Sequence, residues 1–140
     1  MDYIKEKLYQ QLAIDYCCQI SDIKDDKNHF MEYKKIEGRR QFEEADDCVL
    51  KVIAVNGKLI FTGKKSVVDV CQKQFSNKSG NWFMDVVNFR KLDEILKKEG
   101  YRIKTVHPFF IPKDDHVYEI NGVEIKKYNQ VEILQFKDDD

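Results

Sequence analysis

What this chain has little of narrows its roles before any motif is sought. It has no surplus of either charge, because 24 Lys and Arg face 25 Asp and Glu for a net charge of −1. Domains that bind nucleic acid usually carry a basic surplus, so DNA and RNA are not expected partners. No stretch approaches the ~20 apolar residues of a membrane span, and Met1–Gln10 is amphipathic rather than a signal peptide. No membrane partner is expected, and a cytoplasmic location follows as the default. The four cysteines, Cys17, Cys18, Cys48 and Cys71, contain no Cys-x-x-Cys pair. Adjacent Cys17 and Cys18 cannot both chelate from one regular turn, and His116 and Glu119, three apart in a strand-like stretch, point to opposite faces. No metal site is expected, and in a reduced compartment such cysteines serve as small buried hydrophobes.

What is there suits one globular domain. With 140 residues, 42% of them hydrophobic, a chain buries roughly 68–70% of its unfolded surface. That sustains a core without disulfides or metal. The expected organisation is a single α/β domain over residues 1–137, with Asp138–Asp139–Asp140 as an acidic tail.

Hydrophobic spacing supplies the elements. Ile4, Leu8, Leu12 and Tyr16 recur every four residues and line one face of a helix, with Asp2 as its cap. Ser21 is placed to cap a short following turn, and Asn28–Ile36 alternates as a half-exposed strand. Val49–Val55 and Leu59-Ile60-Phe61 flank Asn56-Gly57. An Asn-Gly pair between apolar runs favours a type I′ turn, in which both central residues take positive φ, so a hairpin is predicted. Ser66-x-x-Asp69 resembles a capping box opening a helix to Phe75, with Val67, Val70, Cys71 and Phe75 inward. A further helix runs Phe89–Glu99 and stops at Gly100, followed by a strand at Tyr101–His107, another at Val117–Ile120, and a short helix at Val131–Phe136. The fold class is therefore α/β (α+β), a mixed, mostly antiparallel sheet with a central hairpin and covering helices.

Chemical motifs are sparse. Gly57 and Gly63 are separated by five residues, where a P-loop has four, and Lys65 stands at the hydroxyl position, so that motif fails. Cys71 lies on an apolar helix face and reads as buried filler, and Asp46–Asp47 and Asp114–Asp115 read as solvated turns. Four residues stand out as ligand-binding candidates. Arg39 and Arg40 follow Gly38, and arginine binds carboxylate or phosphate through two parallel bonds. Trp82 offers an aromatic face and His107 a titratable ring, although core packing and a strand end are the plainer readings of these two. No catalytic residue is assignable.

The order of segments carries more than any single residue. Leu12-Ala13-Ile14-Asp15-Tyr16-Cys17, Glu37-Gly38-Arg39-Arg40-Gln41-Phe42, Asn56–Gly63, Trp82-Phe83, Glu99-Gly100-Tyr101, His107–Pro112, Tyr118-Glu119-Ile120 and Glu132-Ile133 follow one another over most of the chain. In this order the chain resembles the N-terminal half of a two-part Firmicute protein of the GNAT acetyltransferase superfamily. The resemblance implies an accessory or substrate-side domain, not catalytic by itself, beside a partner half that transfers acetyl from acetyl-CoA to an amine. The superfamily's pyrophosphate loop has glycines two apart, and none of Gly38, Gly57, Gly63, Gly80, Gly100 and Gly122 are so spaced. No cofactor is therefore expected in this chain, acetyl-CoA being implied only for the partner half. Gly63, at a strand-to-helix junction, fits a degenerate GNAT-like half-fold. The expected partner is a second GNAT domain or another copy of this chain, met through Ile125, Val131, Ile133, Leu134 and Phe136. A stand-alone interaction module unrelated to acetyl transfer is the alternative.

Overall fold

The structure is a computed structural model that describes residues 2–40, 48–111, 122 and 128–133. It opens with helix α1 (Asp2–Asp15), whose four-residue spacing buries Leu12 and Tyr16 and adds Tyr9. Cys17 turns the chain with φ of 56°, and α2 (Ile20–Lys24) follows. Gln19 rather than Ser21 precedes this helix: the Gln19 N–H donates to the Asp22 carboxylate at 2.8 Å, and Ser21 sits inside the helix.

Three strands come next, β1 (His29–Glu32), β2 (Leu50–Val55) and β3 (Lys58–Gly63). The sheet order is β1-β3-β2, with β2 antiparallel to β3 and β1 parallel to it. The hairpin turn takes the expected form, Asn56 at φ 51° and Gly57 at φ 79°. Strand β1 is shorter than the alternation over Asn28–Ile36 predicts. The Tyr33 N–H still reaches Gly63 O at 2.8 Å, but β3 ends at Gly63 and leaves later residues nothing to pair with.

Helices α3 (Lys65–Phe75) and α4 (Val86–Lys98) cover one face of the sheet, and α1 and α2 cover the other. Because side chains alternate along a strand, central β3 feeds two cores. Leu59 and Phe61 join Val67, Cys71, Phe75, Phe83, Leu92, Ile95 and Leu96. Ile60 joins Tyr9, Leu12, Tyr16, Ile23, Ile53 and Val55. Stacked Phe30–Phe61 rings at 4.7 Å and edge-on Phe75–Phe83 rings at 5.4 Å fill the first core.

Several expectations change. Lys64, not Ser66, precedes α3, so the capping box does not form; Asp69 pairs instead with Lys65 at 2.8 Å. The buried face of α3 takes Val68 in place of Val70, which is exposed. Helix α4 starts earlier than Phe89, behind Asp85, whose carboxylate accepts the Val87 N–H at 3.4 Å. Tyr101–His107 forms no strand. The Tyr101 N–H bonds Leu96 O at 2.9 Å and the Ile103 N–H bonds Asp93 at 3.2 Å, so this segment follows α4 and not the sheet. A last helix, α5 (Gln130–Ile133), overlaps the predicted Val131–Phe136 and begins one residue earlier. Val117–Ile120, Ile125, Leu134 and Phe136 lie outside the described residues.

The architecture is a single small α/β domain built on a three-stranded mixed sheet. No helix among the described residues is long and apolar enough to cross a membrane.

Candidate functional site

Arg39 and Arg40 are committed to internal contacts. Asp15, at the end of α1, is 0% exposed. Its Oδ2 accepts the Arg40 Nε and Nη2 groups at 2.7 and 2.6 Å, and its Oδ1 accepts the Arg40 backbone N–H and the Gln11 amide, both at 2.9 Å. Burial alone raises the Asp15 pKa, but these donors outweigh it and hold the carboxyl below its ordinary value. Arg39 Nε donates to Asp15 O at 3.2 Å while its guanidinium lies over the Tyr33 ring at 4.1 Å. The pair staples the chain after β1 onto α1, a structural role that the Gly-Arg-Arg motif alone does not reveal.

A second polar cluster lies where α2, β1 and β3 meet. Lys58 is 2% exposed, and its ammonium donates to the carbonyls of Asp22 and Asp25 and to Asp25 Oδ1 at 2.7 Å. His29 Nε2 lies 2.9 Å from Asp25 Oδ2, and its Nδ1 lies 4.0 Å from Asp22 Oδ1. The Lys58 bond first, then the His29 bond, hold Asp25 far below the usual carboxylate range. Asp22, Asp25 and His29 together have the donor types to hold a metal ion. Sequence reading missed them because Asp-x2-Asp-x3-His spans a helix, a loop and a strand, with no single period to reveal it.

Trp82 is the clearest surface feature. The plain expectation of a core residue fails: the indole is 91% exposed, at φ 61°. A bulky side chain at positive φ is costly and marks either strain or function. Its neighbours fix it outward. Phe83 is buried against Phe61 and Phe75, and the Asp85 N–H bonds Trp82 O at 3.1 Å. Gly80 bonds Gly57 O at 2.8 Å and sits so close to β3 that a Cβ would stand 2.3 Å from Lys58 O. Met84, two residues before α4, and Val86 and Val87 in its first turn are exposed as well.

The four sequence candidates are not brought together. The arginines lie on the α1 side of the sheet, and Trp82 adjoins the core on the opposite side. His107 is exposed in the segment without regular structure after α4, and no bond among the described residues joins it to the other three. Nucleophilic chemistry finds little support. Burial pushes the Cys71 thiol up to about 12, as its core position predicts, and burial with Asp22 beside it pushes Cys18 up to about 11. Asp46–Asp47, Asp114–Asp115, His116 and Glu119 lie outside the described residues. Comparison of the chain with protein-family models, curated proteins and solved structures finds no match.

Proposed function

We propose that this chain is a non-catalytic accessory domain that docks a partner domain through the surface around Trp82, the partner being the GNAT-type acetyltransferase half that its sequence resemblance implies. One observation carries the reading: the fold spends strain to hold a large aromatic side chain in solvent, beside Met84, Val86 and Val87. Aromatic anchors of this kind dominate protein interfaces.

The non-catalytic part of the reading rests on the chemistry of the described residues. The most buried charged groups, Asp15 and Lys58, are consumed in internal networks, and two of the thiols are held protonated at neutral pH. In a degenerate GNAT-like half-fold, the junction of β3 and α3 would take the place of the pyrophosphate loop. Here the Lys64 N–H is spent on Val49 O at 2.9 Å, and a Cβ on Gly63 would stand 2.3 Å from the same carbonyl. The junction is closed by strand backbone, which disfavours a phosphate there.

Trp82 is the sole tryptophan, so its emission reports directly on the surface. Mixed with a GNAT-type catalytic domain from the same genome, the chain should form a complex with blue-shifted emission and reduced acrylamide quenching. Trp82→Ala should weaken that complex about tenfold or more. Calorimetric titration with acetyl-CoA should show no saturable binding. Micromolar acetyl-CoA binding by the isolated chain, lost on changing Gly63 or Lys64, would overturn the reading in favour of a small enzyme.

A further inference from the structure

We propose that Asp22, Asp25 and His29 form a binding site for one borderline divalent cation of the Zn²⁺ class. One nitrogen and two carboxylate oxygens from these residues lie within 4.8 Å of one another. Ligands in a tetrahedral zinc site with bonds of ~2.0–2.1 Å stand ~3.3 Å apart, so the ligand atoms must close by up to about 1.5 Å on binding. His29 Nε2 and Asp25 Oδ2 are already 2.9 Å apart.

Donors outside the trio orient both carboxylates. Asp22 gives Oδ2 to the Gln19 N–H at 2.8 Å, leaving Oδ1 on the imidazole side. Asp25 gives Oδ1 to the Lys58 ammonium at 2.7 Å and to the Lys27 N–H at 3.0 Å, and both its oxygens lie against His29 Nε2, Oδ1 at 3.0 Å and Oδ2 at 2.9 Å. Each acid thus has one oxygen held by scaffold donors, as outer-sphere partners hold metal ligands; Asp22 Oδ1 faces Nδ1 and Asp25 Oδ2 faces Nε2, so the ring must turn to offer one nitrogen to an ion between them. All three side chains are partly exposed, so solvent can supply a fourth ligand.

Charge and donor type select the ion. Two carboxylates against one ammonium leave a single net negative charge beside the imidazole, which suits a dication bound at moderate strength. Calcium seeks six to eight oxygens and magnesium an octahedron of them, whereas an imidazole with two single carboxylate oxygens suits zinc or cobalt. Bound there, the ion would tie α2 to the first residue of β1. Binding would replace the hydrogen bond between His29 and Asp25.

The test is titration of the intact, reduced chain with Zn²⁺ and Co²⁺ at neutral pH. The expected result is one equivalent of Zn²⁺ bound with Kd on the order of 10 µM, a rise in melting temperature, and visible Co²⁺ bands without thiolate charge transfer. Binding should be lost in His29→Gln and weakened at least tenfold in Asp22→Asn, the milder change in case the first disturbs folding. It should persist in Cys17→Ser and Cys18→Ser and resist millimolar Mg²⁺. Absence of saturable binding, thiolate charge-transfer bands, or binding that survives both His29→Gln and Asp22→Asn would overturn the proposal.

Discussion

Replacing Asp15 by Asn tests whether the arginine motif is structural. The substitution keeps the shape and leaves Oδ1 to accept the Gln11 amide and the Arg40 N–H. It sets an NH₂ group where Oδ2 now accepts two guanidinium donors at 2.6 and 2.7 Å. Each hydrogen bond to a charged group contributes ~1.5–3 kcal/mol. The Arg40 side chain is 48% exposed, so water recovers part of its loss, which lowers the cost below the ~3–5 kcal/mol of a fully buried broken pair. The expected destabilisation at pH 7 is about 2–4 kcal/mol, which for a chain of this size is roughly 6–12 °C in melting temperature. The pH dependence is the sharper readout. The folded Asp15 carboxyl sits below its ordinary 3.8, so its contribution is complete above that range. It drains away as pH falls through the lower folded value. Urea melts of the two proteins should therefore differ most at neutral pH, and the gap should narrow as pH falls below about 4. A loss under 1 kcal/mol, or a gap that stays constant down to pH 3, would refute the argument.

Other substitutions probe the remaining features. Gly80→Ala would drive a Cβ to within 2.3 Å of Lys58 O, and the forced shift should cost about 1–3 kcal/mol or more in urea unfolding. Trp82→Gly should stabilise the isolated chain by ~1 kcal/mol through relief at positive φ while abolishing docking; a destabilised variant would mean that the indole contributes to the fold. The Thr62 hydroxyl is buried with no hydrogen-bond partner among the described residues, so Thr62→Val should raise stability by about 1 kcal/mol, measured by thermal melts. Native-state maleimide labelling read by mass spectrometry should spare Cys71, and rapid modification of that thiol would contradict its burial.

The local elements were the most legible in sequence, because short-range chemistry decides them. Asn56-Gly57 announced its hairpin through two positive φ angles, and the apolar spacings announced α1, α3 and α4. Pairing across the chain was not legible. Whether β1 lies parallel or antiparallel to β3 depends on the 25 residues, β2 among them, that separate Glu32 from Lys58, and the end of β3 sets the length of β1. Tyr101–His107 alternates like a strand but bonds to Leu96 and Asp93. The site followed the same rule. Arg39 and Arg40 stand out by their chemistry, yet their partner, Asp15, is a residue that periodicity alone leaves at the end of a helix face. Trp82 read as core because its neighbour Phe83 is core, and a positive φ at Trp82 cannot be inferred from composition.

The placement of Lys58 bears on how this sequence can drift. Deleting or inserting one residue in β3 leaves the chain two repairs, a bulge or a slide of the strand past its neighbours. The slide would carry the ammonium into the core of Phe75 and Phe83 and carry Leu59 toward the carboxylates of Asp22 and Asp25, so neither side chain would find a tolerable solvent. The hairpin therefore behaves as a keyed joint. Length changes over Asn56–Gly63 should be purged from a library of single-residue deletions, while those at Lys34–Glu37, where exposed residues follow β1, should survive and refold.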